Sequence, residues 1–110
     1  MQKEILELRN LIKNRNIDKA YEQAKRLNKI NKNNIEIVKI LAFLFIQRNQ
    51  FDATISILSE CYLDKPNEKD FDYYVNMGTS YKALEEYEKS LDMYQEAKRI
   101  DPESPFCYTV

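Results

Sequence analysis

The sequence predicts an all-α protein built from three antiparallel helix pairs. Apolar and small residues recur at gaps of three and four positions, which places them on one face of a helix. The same spacing returns three times along the 110 residues. One glycine and three prolines are too few for a chain rich in strands and tight turns. Together these observations favour a helical array over a sheet protein.

The third segment, residues 71–104, carries the pattern most fully. The packing positions of its two helical faces are aromatic, apolar or small: Tyr74, Met77, Gly78 and Tyr81, then Tyr87, Ser90, Tyr94 and Ala97. Residues 83–86 separate the two faces and leave room only for a tight turn between helices. The small residues at 78, 90 and 97 predict a close approach of the paired helices, and Pro102 closes the segment.

The same spacing occurs in two upstream copies. Counting from Ile35, every matching position is apolar or small except Thr54: Val38, Leu41, Ala42, Phe45, Phe51, Thr54, Leu58 and Cys61. Counting from Met1, the copy is degenerate, because Glu4 and Glu7 are charged and Lys32 replaces the closing proline. Atypical terminal copies are common in repeat arrays. The period is 34 residues and then 36, since two residues are inserted near 67–70.

This register resembles the tetratricopeptide repeat, a 34-residue helix–turn–helix unit. The resemblance implies a right-handed α-solenoid within a single domain, residues 1–110. It divides the chain into a degenerate repeat at 1–34 and repeats at 35–70 and 71–104. Residues 105–110 would be a truncated fourth helix, either the start of a further repeat or a C-terminal stub. The family's usual role is a scaffold that binds other proteins.

Local signals support the helices in order. We expect helices at 2–13, 17–29, 34–47, 51–63, 68–84 and 87–100. Asn33 with Glu36, and Asn67 with Asp70, have the spacing of capping pairs. Ser104 before Pro105 places a cap residue before a proline at a first helical position.

The shared register also predicts the core. Equivalent positions of the copies should be largely buried: Leu41, Phe45, Leu58, Tyr74, Tyr81, Tyr94 and Ala97. Cys61 falls on a packing position and is expected to be a small buried hydrophobe. It lies far from Cys107 in sequence, and the two have no metal-like spacing.

Composition argues against catalysis and against several partner classes. The chain has no histidine and a single glycine, so the commonest general base and a glycine-rich phosphate loop are missing. We therefore expect no enzyme activity, cofactor or metal. The net charge of −1 indicates no attraction to nucleic acid. No signal peptide or membrane-spanning run is visible, so we expect a cytoplasmic protein.

The resemblance implies that the first helix of each pair lines a concave groove. The expected groove residues are Ile5, Arg9, Ile12, Lys39, Phe43, Ile46, Val75, Asn76, Thr79 and Lys82, with Glu36 and Asp72 near the border. The centre of this set is apolar and its border is polar, which suits a peptide or helix of a partner protein.

One subset of the family grips a C-terminal carboxylate with lysines, an arginine and asparagines. Of its five positions only Lys39 and Asn76 match here, and Phe43 stands in place of an asparagine. We therefore reject that specialisation.

Two other hypotheses about function remain open. The residues could be the N-terminal scaffold of a longer enzyme, such as a glycosyl- or sulfotransferase, which the abrupt stop after Tyr108 favours. A third hypothesis is that the chain is a small client-binding chaperone. We also expect self-association through the C-terminal end, where a following repeat would cover Leu91, Tyr94 and Ile100, and where Tyr108 would be buried. A two-fold dimer is preferred there over a head-to-tail stack or a monomer.

Overall fold

The computed structural model describes residues 2–104; the predicted fourth helix at 105–110, with Tyr108 and Cys107, lies outside the described residues. Residues 2–104 contain helices and turns but no strand. The α-helices are α1 (Gln2–Lys13), α2 (Ile17–Ile30), α3 (Ile35–Gln47), α4 (Phe51–Cys61), α5 (Phe71–Ala83) and α6 (Tyr87–Ile100), and a 3₁₀ turn, Pro66–Glu68, precedes α5. The predicted all-α class is confirmed.

The helices stack in chain order. Each helix packs against the next, and the first helices of successive pairs also touch, α1 with α3 and α3 with α5. The result is a solenoid of three helix pairs, with first helices along one side. The right-handed sense of the solenoid, which the resemblance implies, remains a prediction.

The turn inside each helix pair has one repeated backbone geometry. A residue with positive φ follows each first helix: Arg15 (63°), Asn49 (58°) and Glu85 (64°). In each turn the next amide donates to the carbonyl five residues back, Asn16 to Leu11, Gln50 to Phe45 and Glu86 to Tyr81, at 2.8, 2.8 and 2.9 Å. This is the closing bond of a helix C-terminal turn. The three turns are 34 and 36 residues apart, so the backbone repeats with the period of the sequence.

The connections between pairs correct two predicted caps. Asn34, rather than Asn33, accepts the Ile37 amide at 3.2 Å, because Asn33 is used in the left-handed turn before it, with φ of 63°. Asp70, rather than Asn67, accepts the Tyr73 amide at 3.0 Å. Helix α5 therefore begins at Phe71 instead of 68, and the residues around the insertion form the 3₁₀ turn. Helix α4 ends at Cys61 instead of 63.

The core lies between helices rather than at one centre. One cluster joins α1, α2 and α3, and the other joins α3, α4 and α5. Four of the predicted core residues are buried: Leu41, Leu58, Tyr94 and Ala97. Phe45, Tyr74 and Tyr81 are only partly buried and pack at the edges of the two clusters.

The third pair shows the close approach predicted from its small residues. The Ser90 hydroxyl donates to the Gly78 carbonyl at 2.8 Å. A Cβ on residue 78 would lie 3.2 Å from the Tyr94 ring. The Tyr94 hydroxyl is 2.9 Å from the Thr79 hydroxyl. Tyr94 is thus buried within its own pair, which corrects its predicted place among the uncovered residues of the C-terminal end.

Tyr62 joins the second pair to the third. Its ring lies 4.8 Å from the Tyr73 ring, between centroids, and 1% of the residue is exposed. Its hydroxyl has no hydrogen-bond partner among the described residues. Burial, reinforced by the nearby charge of Asp70, raises the pKa of the Tyr62 phenol. The fold therefore holds this phenol neutral.

Replacing Glu85 with glycine should stabilise the fold. A side chain in the left-handed region costs about 1–2 kcal/mol, and glycine avoids most of this at an entropic cost of about 0.5–1 kcal/mol. We expect a net gain of about 0.5–1 kcal/mol in the free energy of unfolding, measured by urea titration. Glu86→Gly is the matched control, since φ there is −91° and the change should destabilise. A Glu85→Gly variant no more stable than the parent would contradict the turn geometry.

Tyr62→Phe should raise the free energy of unfolding by about 1 kcal/mol, because it removes a buried hydroxyl that lacks a partner. Tyr94→Phe is the matched control and should lower it by about 1 kcal/mol, since that hydroxyl is bonded. The unfolded phenol ionises near pH 10, below the raised pKa of the folded one. The parent therefore loses stability as pH rises through about 10, and the advantage of Tyr62→Phe should grow there. A loss of stability in Tyr62→Phe at neutral pH would show that the hydroxyl is bonded.

Candidate functional site

A pocket opens on the side of the solenoid formed by the first helices. It has a volume of about 340 Å³ and is lined by residues of α1, α3 and α5: Arg9, Ile12, Lys39, Ile40, Phe43 and Asp72. Four of the predicted groove residues, Arg9, Ile12, Lys39 and Phe43, meet in this pocket. Asp72, which was expected near the border of the groove, also lines the pocket.

Helix α3 presents Phe43 to this pocket because its other faces are covered. Its buried residues pack against α1, α2, α4 and α5: Ile37, Val38, Ile40, Leu41, Ala42 and Leu44. The stripe left to solvent follows gaps of four and three, through Lys39, Phe43 and Ile46. Phe43 is 42% exposed, which is unusual for an aromatic residue in the middle of the central helix.

Ion pairs cross both helix junctions beside the pocket. Arg9 of α1 lies 3.7 Å from Glu36 of α3, between side-chain nitrogen and oxygen. Lys39 of α3 bonds to Asp70, the cap of α5, and lies 3.9 Å from Asp72. The pocket therefore has an apolar floor with paired charges along one border.

The other predicted groove residues lie outside the pocket lining. Ile5 is only 2% exposed and packs in the first core cluster, so its predicted place in the groove is wrong. It lies one turn from Leu8, on the α1 face that meets α2 and α3. Ile46, Val75, Asn76 and Thr79 are partly buried, and Lys82 is exposed. The Thr79 hydroxyl is engaged with Tyr94.

Sequence reasoning missed Ile40 as a pocket residue. It lies three positions before Phe43, on the adjoining helical stripe, and is 8% exposed. That spacing is the signal that could have found it.

Residues 2–104 contain no cluster of three or more histidine, cysteine or acidic side chains placed to hold a metal ion. Cys61 is buried as predicted. Its thiol donates to the Asn33 carbonyl at 3.6 Å, and burial raises its pKa, so the reactive thiolate is disfavoured. Over the same range, no helix is both long and apolar enough to cross a bilayer.

Comparison with known proteins agrees with the repeat pattern. The family model described as tetratricopeptide repeat matches residues 71–104. The structure "MamA D159K mutant 1" aligns with a TM-score of 0.81 at 16% identity, over 96% of this chain and 60% of that chain. "MamA MSR-1 C2" aligns with a TM-score of 0.72 at 18% identity, over 84% of this chain and 52% of that one. The present chain therefore spans little more than half of these structures, and the likeness shows the fold alone. No curated protein sequence matches it.

Asp70 should stabilise α5 mainly as a cap. Asp70→Ala removes the acceptor for the Tyr73 amide and should lower the free energy of unfolding by about 1 kcal/mol. Asp70→Asn keeps an acceptor and loses only a partly exposed ion pair, so its cost should stay below about 1 kcal/mol and below that of Asp70→Ala. Asp72→Asn is the control for removing a nearby charge. If Asp70→Ala and Asp70→Asn lose equal amounts of unfolding free energy in urea titrations, the ion pair with Lys39, rather than the cap, makes the main contribution to stability.

Proposed function

We propose that this chain, a member of the tetratricopeptide repeat family by its residues 71–104, is a protein-interaction scaffold. It binds an extended or helical segment of a partner protein across α1, α3 and α5. The partner inserts a bulky apolar side chain against Phe43, and its neighbouring polar groups contact the charged border. The chain carries out no catalysis in this role.

The exposure of Phe43 is the observation that supports this function most directly. An aromatic side chain that is 42% exposed inside a pocket with polar borders is typical of a protein-docking site. The volume of about 340 Å³ is at the low end of the roughly 300–1,000 Å³ found for ligand pockets. It suits one anchor side chain better than a whole cofactor.

The border favours a partner of mixed polarity. Arg9 and Lys39 are each paired with acids, Glu36 and Asp72 respectively, so neither sign of charge dominates. These pairs also join three helices before any partner arrives, which limits the ordering cost of binding. Apolar anchoring, with hydrogen bonds from the flanks, should therefore contribute more affinity than net charge.

The repeat organisation extends this proposal to the whole solenoid. We assign residues 1–34 and 35–70 as repeats equivalent to 71–104, since the three turns share φ values and hydrogen bonds. Each repeat then contributes one first helix to the binding side. The degenerate first repeat contributes Arg9 and Ile12 and closes one end of the pocket.

Phe43→Ala should abolish most peptide binding. The probe is a displayed library of random peptides about ten residues long, selected on the full chain. Selected peptides should carry a leucine, phenylalanine or methionine anchor, and their affinity should fall about ten-fold or more in Phe43→Ala, as for an interface hot spot. Binding is measured by fluorescence anisotropy.

Leu63→Ala is the matched control, because Leu63 is 83% exposed and lies after α4, away from the pocket. It should leave the affinity unchanged. Peptides that bind Phe43→Ala as well as the parent, or that lose binding in Leu63→Ala, would place the docking surface elsewhere.

A further inference from the structure

The two sides of the Phe43 pocket differ in charge. Helix α3 lies between α1 and α5 and contacts both, so Arg9 of α1 and Asp72 of α5 line opposite sides of the pocket. On the α5 side one cation, Lys39, is shared by two carboxylates, those of Asp70 and Asp72. This side of the pocket therefore has an excess of negative charge.

The α1 side has the opposite excess. Arg9 has a single carboxylate near it, that of Glu36, and Lys13 follows one turn later on the same face of α1. Lys13 is exposed. The acids of α1 itself, Glu4 and Glu7, lie on the far side of that helix by their spacing from Arg9. A partner that crosses the pocket from α1 to α5 thus passes from a basic side to an acidic side.

Arg9 and Asp72 keep hydrogen-bonding groups for a partner. Their ion pairs, at 3.7 Å to Glu36 and 3.9 Å to Lys39, are longer than hydrogen bonds. Both side chains are mostly exposed, at 61% and 68%. Lys39 differs, because it donates a hydrogen bond to the Asp70 cap. A partner can therefore bond to Arg9 and Asp72 without breaking a hydrogen bond of the fold.

The pocket fits an extended segment better than a helix, because it offers one apolar contact. Of its described apolar lining residues, Ile12 is partly buried, Ile40 is buried and Phe43 is exposed. A docked helix needs several anchors at gaps of three and four. In an extended chain, the residues two positions before and after the anchor share its face and lie roughly 6–7 Å from it. Packed helices are about 8–10 Å apart, so long side chains at these two positions reach the α1 and α5 sides.

We propose that the pocket selects an extended partner segment whose apolar anchor lies between an acidic and a basic residue, each two positions from the anchor. The acidic residue contacts Arg9, the anchor packs on Phe43, and the basic residue contacts Asp72. This inference rests on the proposed function and adds the charge order of the partner to it. Either chain direction can satisfy the order. Rim charges contribute specificity more than affinity, so the order distinguishes partners that share the same anchor.

Four versions of one peptide selected on the parent chain test the charge order. At the two flanking positions they carry glutamate then lysine, lysine then glutamate, two glutamates or two lysines. In fluorescence anisotropy at low salt, the tighter opposite-charge version should bind about three- to five-fold more tightly than either like-charge version. Arg9→Glu should switch the preference to two lysines, and Asp72→Lys to two glutamates. The double variant should again prefer opposite charges, with the tighter of the two orders exchanged.

Lys29→Glu on α2 and Glu88→Lys on α6 are controls with the same changes of net charge, and neither should alter the preference. Arg9→Gln and Asp72→Asn, which disturb neighbouring ion pairs less, should each abolish it at one flank. If binding depends on Phe43 but all four versions bind equally, or a like-charge version binds best, the charge order is wrong and the proposed function stands. If no selected peptide depends on Phe43, both are wrong.

Discussion

The second helices α2 and α4 each bury an apolar face against the helix pair that follows. Tyr21 is covered by Phe45, and Tyr62 by Tyr73, so the apolar surface of one pair is completed by its neighbour. This dependence makes the stability of the solenoid a property of neighbouring pairs rather than of one centre. The two core clusters reflect this dependence, because each spans neighbouring helix pairs and both include residues of α3.

The pocket on the first-helix side follows from the same stacking. Helix α3 contacts α1, α2, α4 and α5, so a single stripe of it reaches solvent. Phe43 lies in the middle of that stripe, where a polar residue would have been better solvated. An exposed aromatic residue at this position contributes little to folding, and its surface remains available to a partner. The pocket is thus the part of the first-helix side that stacking leaves uncovered, closed at its border by charged pairs.

Polar contacts between neighbouring helix pairs determine how the helix pairs are oriented more than they add stability. Arg48 with Asp18, Lys32 with Glu60 and Arg9 with Glu36 are all largely exposed, and such pairs contribute about 0–1 kcal/mol each. They do discriminate between registers, because a shift of one helix turn would separate the opposite charges. Within the third pair, Ser90 and Gly78 serve a different purpose. Their short bond allows a tyrosine ring to pack on a helix backbone, which fixes the distance between α5 and α6.

The sequence by itself determined the helices, the turns between them and the period. Gaps of three and four identify the inward face of each helix. The repeat of this pattern after about 34 residues locates the turns between the helices. The resemblance to the repeat family placed Phe43 and Lys39 on the first-helix side, and both line the pocket there. Only the tertiary structure decided which neighbour covers each face. Ile5 was expected in the groove, but packing places it in the core. Tyr94 was expected both in the core and on the C-terminal surface, and packing against α5 decided for the core. Likewise Asn33 and Asn34 have equal capping propensity, and the left-handed turn between α2 and α3 decided which of them caps. Periodicity specifies the direction of a side chain along its own helix, whereas burial depends on distances between helices that are remote in sequence.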